Sequence, residues 1–337
     1  MRRLAVLVAA ASAIGLACGG GARGGRESAR APRGTHAASE AGAGAAPASQ
    51  VDATRDAGAC ADCHRAEAME WSASLHHGSF TDADFQASFA VEPLQFCFDC
   101  HAPEAKARSD VAGARIGVGC ASCHTVASGH GSENAVAGTA SCASCHEFTF
   151  PGRSALMQST ISEHARSSSS RTACATCHMA RAPDGHRDHR FDVSRNVTLL
   201  RASLDVAPRR TEAGLELTLA ARDVGHALPT GDLFRRLRVS VRAESADGAH
   251  LGEDEVILAR RFDRRRGVPD ESQDTRVFGA RTVRVEGEWI AGAARIEYEV
   301  VYERVAQTFD VRDVRGGLQR RESVFASVVL AEGSLAR

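Results

Sequence analysis

The sequence Cys-x-x-Cys-His occurs five times between residues 60 and 178. The copies are Cys60-Ala-Asp-Cys63-His64, Cys97-Phe-Asp-Cys100-His101, Cys120-Ala-Ser-Cys123-His124, Cys142-Ala-Ser-Cys145-His146 and Cys174-Ala-Thr-Cys177-His178. Two thiols at this spacing add across the vinyl groups of a haem, and the adjacent His reaches the iron from one side. Zinc ribbons also use Cys-x-x-Cys pairs, but they take them two at a time, and five pairs leave one over. A disulfide framework has no use for a His after each second Cys. The pattern therefore predicts five covalently bound haem c groups, with His64, His101, His124, His146 and His178 as proximal iron ligands.

The first Cys of successive motifs are 37, 23, 22 and 32 residues apart. So little chain per cofactor means that the porphyrins themselves must form most of the apolar core. Short helices and loops wrapped around closely packed haems are expected over residues 58–195, with little regular sheet. Segments 65–75 and 154–166 have the best helical character. Close packing of the haems is also what lets electrons pass between irons.

The N-terminus reads as an address. Met1-Arg2-Arg3 is followed by an apolar run from Leu4 to Ala17, the pattern of an export signal and too short for a membrane span. Gly15-Leu16-Ala17-Cys18 resembles a bacterial lipoprotein cleavage site, with Leu two rather than three residues before the Cys. Lipidation of Cys18 is expected; the alternative is ordinary signal cleavage with Cys18 removed or free. Residues 19–57, rich in Ala, Gly, Ser and Arg, have too few large side chains for a core and read as a flexible tether. The expected location is outside the bacterial cytoplasm, in the periplasm or on the outer membrane or cell surface. A formal net charge of -1 argues against a nucleic-acid role.

Each iron needs a sixth ligand or an open face. His76 and His164 end probable helices leading from haem motifs, and His130 follows a glycine six residues beyond His124. His189 closes Gly185-His-Arg-Asp-His189-Arg-Phe191 near the end of the haem region. His77 adjoins His76 and could exchange with it. Met69, Met157 and Met179 read as packing residues.

Four stretches carry a family resemblance. They are Trp71-x-x-Ser74-x-His76, Gly117-Val118-Gly119 before Cys120, Cys145-His146-Glu147-Phe148-x-Phe150-Pro151, and Cys177-His178-Met179 leading to His189-Arg-Phe191. Residues 58–195 thereby resemble multihaem c-type cytochromes of the c-552/4 class. The resemblance implies electron transfer through bis-His haems, with His76, His130, His164 and His189 as distal ligands.

Beyond residue 195 the hydrophobic period changes to two. Leu215-Glu-Leu217-Thr-Leu219, Leu237-Arg-Val239-Ser-Val241, Val283-Arg-Val285 and Ile296-Glu-Tyr298-Glu-Val300 alternate, and Ser323–Leu330 reads as a further strand. Residues 196–337 are thus expected to form an antiparallel, immunoglobulin-like β-sandwich, making the whole a multidomain α + β chain. Between the first two strands lies Gly225-His226-Ala-Leu228-Pro229-Thr230-Gly231. Its residues alone fit a turn-rich surface loop as well as a ligand loop. Its likeness to a loop of sandwich domains attached to multihaem cytochromes makes His226 the fifth candidate distal ligand. The basic run Arg260-Arg261 and Arg264-Arg265-Arg266 reads as a solvated loop or a surface for an acidic redox partner.

The expected function is electron carriage between a membrane donor of the quinol-oxidising type, or another cytochrome, and an extracytoplasmic acceptor. The alternative is an oxidoreductase with one open haem acting on a small nitrogen or sulfur oxyanion. Pentahaem nitrite reductases place Lys as the proximal ligand of their active haem in a Cys-x-x-Cys-Lys motif. Lys106, the only Lys here, lies away from every Cys pair. A third possibility makes the sandwich a docking module within a larger assembly.

Overall fold

A computed structural model describes residues 56–91, 93–124, 139–231, 233–265, 268–312 and 318–337. Cys18, the tether as far as residue 55 and His130 lie outside the described residues. Among the described residues no helix is long and apolar enough to cross a membrane.

Each haem motif occupies a single short helix: Cys60–Cys63, Phe96–His101, Cys120–Cys123, Thr139–His146 and Cys174–His178. One helical turn brings residues i, i+3 and i+4 to one face, so both thiols and the imidazole point the same way. The turn closes through main-chain hydrogen bonds from His64 N to Cys60 O at 2.8 Å and from His124 N to Cys120 O at 2.9 Å. Protein side chains supply little core in this region. One cluster is Ala57, Ala61, Ala68 and Trp71; another is Phe98, Ala102 and Ala114, with Phe80 and Phe89 packed against it.

The expected helix at 65–75 is present as Arg65–Ser72. The expected helix at 154–166 is divided. Leu156–Ser159 is a strand (β2) paired antiparallel with Glu147–Thr149 (β1), and only Thr160–Ala165 is helical. Glu147, next to the fourth proximal His, explains the break. Its carboxylate accepts from Ile161 N and Ser162 N, both at 3.1 Å, and so caps the helix one turn later than its apolar pattern begins.

The C-terminal part contains two antiparallel sheets. The three-stranded sheet runs β3 (Leu204–Arg210), β4 (Gly214–Ala221), β9 (Ala280–Glu286). The four-stranded sheet has the order β11 (Leu318–Ala336), β10 (Arg295–Arg312), β5 (Arg235–Glu244), β6 (His250–Leu258). Alternation decides which faces meet. Leu215, Leu217 and Leu219 of β4 join Leu237, Val239 and Val241 of β5 and Ile296 and Val300 of β10 in one buried cluster. A separate hairpin pairs β7 (Arg260–Arg265) with β8 (Val268–Asp274).

Several contacts fasten the sheets to the haem region. Arg304 of β10 pairs with Asp84 at 2.5 Å. The basic run is not wholly a solvated loop, because Arg260 turns inward. Its guanidinium donates to Leu156 O at 2.7 Å and Met157 O at 2.9 Å and pairs with Glu271 at 2.8 Å. Beside it, the Phe262 ring meets Phe150 edge-on at 5.2 Å.

Candidate haem sites

None of the ten motif cysteines is taken up in a disulfide, which leaves their sulfurs to haem vinyl groups. Among the described residues no three His, Cys, Asp or Glu side chains converge to hold a bare metal ion. The motifs crowd one another. The thiols of Cys100 and Cys145, of Cys60 and Cys120, and of Cys142 and Cys174 lie close enough to act on one another electrostatically. Helix Thr139–His146 lies against the helices of the second, third and fifth motifs, so the fourth motif is central.

The imidazoles give a quantitative test of fit. A metal–imidazole bond is about 2 Å long and the ring centre lies about 1 Å behind the nitrogen, so two rings sharing one iron sit roughly 6 Å apart. His124 and His189 have ring centres 6.2 Å apart, His178 and His226 6.2 Å, and His76 and His146 6.3 Å. Each pair joins a proximal His to one of the sequence-derived distal candidates. The spacing fits bis-His haem at the third, fifth and fourth motifs respectively.

Ring orientation supports the same reading. His226 Nδ1 donates to Ala227 O at 2.9 Å, His189 Nδ1 to Arg187 O at 2.6 Å and the proximal His101 Nδ1 to Ser79 O at 2.9 Å. A carbonyl on Nδ1 fixes the tautomer that leaves Nε2 for a metal. Burial, with His178 nearby, pushes the His76 imidazole down to about 4. Burial likewise lowers His178, His189 and His226. These rings are therefore held in the neutral form that has a lone pair to give.

His76 and His77 have different surroundings. The His77 ring packs on Trp71 at 4.3 Å, with Nδ1 at 3.1 Å from Ile116 O and Nε2 3.6 Å from Asp56. His76 instead faces His146, with the Phe191 ring edge-on at 4.3 Å. The strap Gly117-Val118-Gly119 holds this stretch. Val118 N donates to His76 O at 2.9 Å, and Trp71 Nε1 donates to Val118 O at 2.8 Å. Gly117 has φ +66°, and a Cβ there would overlap the carbonyl oxygens of His76 and His77. Gly117→Ala should destabilise the chain by roughly 1–3 kcal/mol and alter the fourth haem's low-spin signal. An unchanged melting temperature and spectrum would contradict this placement.

His164, another of the candidates, has Nδ1 2.9 Å from Gly225 O and Nε2 2.9 Å from Thr172 O. A neutral imidazole carries one N–H, so one of these nitrogens donates to its carbonyl and the other keeps its lone pair. The ring lies between the loop bearing His226 and the segment leading into the fifth motif.

Two carboxylates were missed in the sequence. Glu70 accepts from His189 N at 3.0 Å and contacts His186 Nε2 at 3.0 Å, which holds the turn bearing His189. Glu163, only 1% exposed, pairs with Arg276 at 2.6 Å. Burial alone would raise its carboxyl, but Arg276, Thr230 and Ser159 together hold it below the usual range. Neither Glu stands in a recognisable motif; only the folded chain brings them to their partners.

Residues 59–125 match the family model described as cytochrome c554 and c-prime. The structure is similar to the crystal structure of a penta-haem cytochrome c552 from Thermochromatium tepidum, with a TM-score of 0.59 at 19% sequence identity. The similarity covers 82% of this chain and 97% of that one. The chain has a multihaem cytochrome c fold. No curated protein matches the sequence. In a multihaem cytochrome c the haem iron supplies one-electron redox chemistry. The protein's own residues set ligation, spacing and exclusion of water. Here the Cys pairs would hold the porphyrins, and the facing imidazoles would hold the irons of the third, fourth and fifth motifs six-coordinate.

Proposed function

We propose that this protein is an exported pentahaem electron carrier. In this reading electrons enter from a membrane-associated quinol-oxidising donor or another cytochrome, and leave to an extracytoplasmic acceptor. The observation that carries it is the set of three imidazole pairs at single-iron spacing. A six-coordinate iron changes oxidation state without binding substrate, which suits relay rather than catalysis. Export and lipidation at Cys18 would place the carrier beyond the inner membrane, with residues 19–57 as its tether. The C-terminal sheets, facing each other across one core, would form a sandwich whose loop supplies His226 as a ligand.

One observation favours the second reading, an oxidoreductase with an open haem for a small nitrogen or sulfur oxyanion. Were the carbonyls beside both His164 nitrogens to keep that ring from iron, the sequence-derived candidates would number one fewer than the motifs. Haem quantification with EPR of the oxidised protein separates the readings. Five haems, all low-spin, support the carrier. A high-spin signal amounting to one haem supports the oxidoreductase.

The ring angles predict the form of that spectrum. The His178 and His226 planes differ by 17° and those of His124 and His189 by 31°, whereas His76 and His146 differ by 77°. Near-parallel imidazoles split the iron d orbitals and give a rhombic low-spin signal. Near-perpendicular ones leave two orbitals almost degenerate and give a highly anisotropic signal. Both types should be present, and a single rhombic class would contradict the geometry at the fourth motif.

A further inference from the structure

We propose that Glu163 and Arg276 form a buried latch that sets His226 opposite His178, making Glu163 a positioning residue for the fifth haem. The inference rests on the reading of His226 as an iron ligand and adds what holds it in place.

Glu163 lies in helix Thr160–Ala165 of the haem region, whereas Arg276 and the 225–231 loop belong to the sheet domain. Both carboxylate oxygens are fully engaged. Oε1 accepts from Ser159 Oγ at 2.8 Å and Arg276 Nη2 at 2.6 Å. Oε2 accepts from Thr230 Oγ1 at 2.6 Å and Ala227 N at 3.2 Å. One side chain thus grips the loop immediately after His226 and again at its far end.

Arg276 closes the other side. It donates to Pro229 O at 3.2 Å, and Asp274 braces its guanidinium at 2.8 Å. The next residue, Val277, exchanges two main-chain hydrogen bonds with Leu228, at 2.8 and 3.0 Å. Gly225 O is held by His164. The ties therefore run along the loop on both sides of His226, whose own Nδ1 is used on Ala227 O.

A buried ion pair is weak support for stability, since apolar residues of similar volume often do as well. Its directional bonds are what an apolar pair cannot reproduce. Both partners here are almost fully buried, at 1% and 5% exposure, and their bonds converge on the segment carrying the imidazole. A ligand loop must stop its Nε2 at one distance from an iron in another domain. Directional bonds across the interface supply that stop.

The test compares the holoprotein with Glu163→Ala, Glu163→Gln and His226→Ala. The ferrous forms are exposed to carbon monoxide, and thermal unfolding is followed in parallel. His226→Ala should make one haem per chain bind carbon monoxide. Glu163→Ala should raise the reactive fraction of that same haem about tenfold over the parent, as expected when the ligand-on state loses its latch. Glu163→Gln keeps an acceptor for Thr230 and Ala227 and should raise it less. If His226→Ala exposes no haem, the ligand reading itself fails. If it does expose one but Glu163→Ala lowers only the melting temperature, Glu163 is merely structural and the latch is overturned. Should Glu163→Ala not accumulate as holoprotein, Thr230→Val severs one of the four contacts. A rise smaller than that of His226→Ala would support the latch, and no rise would overturn it.

Discussion

Without haem, the region from residue 56 to about 195 should fail to fold while the sheet domain remains intact. The protein-only clusters of the haem region are built largely from alanine, with Trp71 and Phe98 their only large fully buried members. Burial contributes about 25 cal/mol per Å² of apolar surface, so alanine-lined clusters cannot offset the chain entropy of a region this long. The sheet domain has its own core of Leu, Val and Ile from two sheets, including Leu217, Val239 and Ile296. Replacing Cys142 and Cys145 with Ala removes the central motif, against which three other motif helices pack. Limited trypsin digestion of that variant should leave a resistant C-terminal fragment beginning near residue 200. Equal protection of the haem region would show that its fold does not depend on the cofactors.

His226→Ala should convert one haem of the chain from low-spin to high-spin and leave the others unchanged. Its ring faces His178 at 6.2 Å with nearly parallel planes, and its Nδ1 is already committed to Ala227 O. In the proposed reading, removing it takes away one ligand and with it an iron–imidazole tie between the sheet domain and the haem region. The salt bridge of Arg304 with Asp84 and the contacts of Arg260 remain, so the domains should stay associated. EPR integrated against total haem measures the conversion. A spectrum identical to the parent would mean that the loop is a surface feature.

The haem motifs were legible because covalent attachment needs fixed residue types at fixed spacing. The strands around Leu217, Val239, Val283 and Val300 were legible for a similar reason, since a sheet with one buried face writes its period into the chain. Strand β6 was not legible. It is an edge strand carrying Glu253, Asp254 and Glu255, and most of its residues are exposed. The hairpin of β7 and β8, dense in Arg and Asp, hid in the same way.

Of the distal candidates, His76, His189 and His226 stand opposite the imidazoles of haem motifs. Their local sequences do not announce this, because each facing ring is remote along the chain: His146 for His76, His124 for His189 and His178 for His226.

Composition and spacing by themselves pointed to covalent haem c, to a candidate proximal His in each motif and to the change from short helices to alternating strands, because these depend on contacts within a few residues. Which imidazole faces which was decided only by tertiary structure. So was the pairing of Glu163 with Arg276, 113 positions along the chain. Both depend on where two separately folded regions meet, and a sequence records that meeting only as isolated polar residues whose partners lie far away.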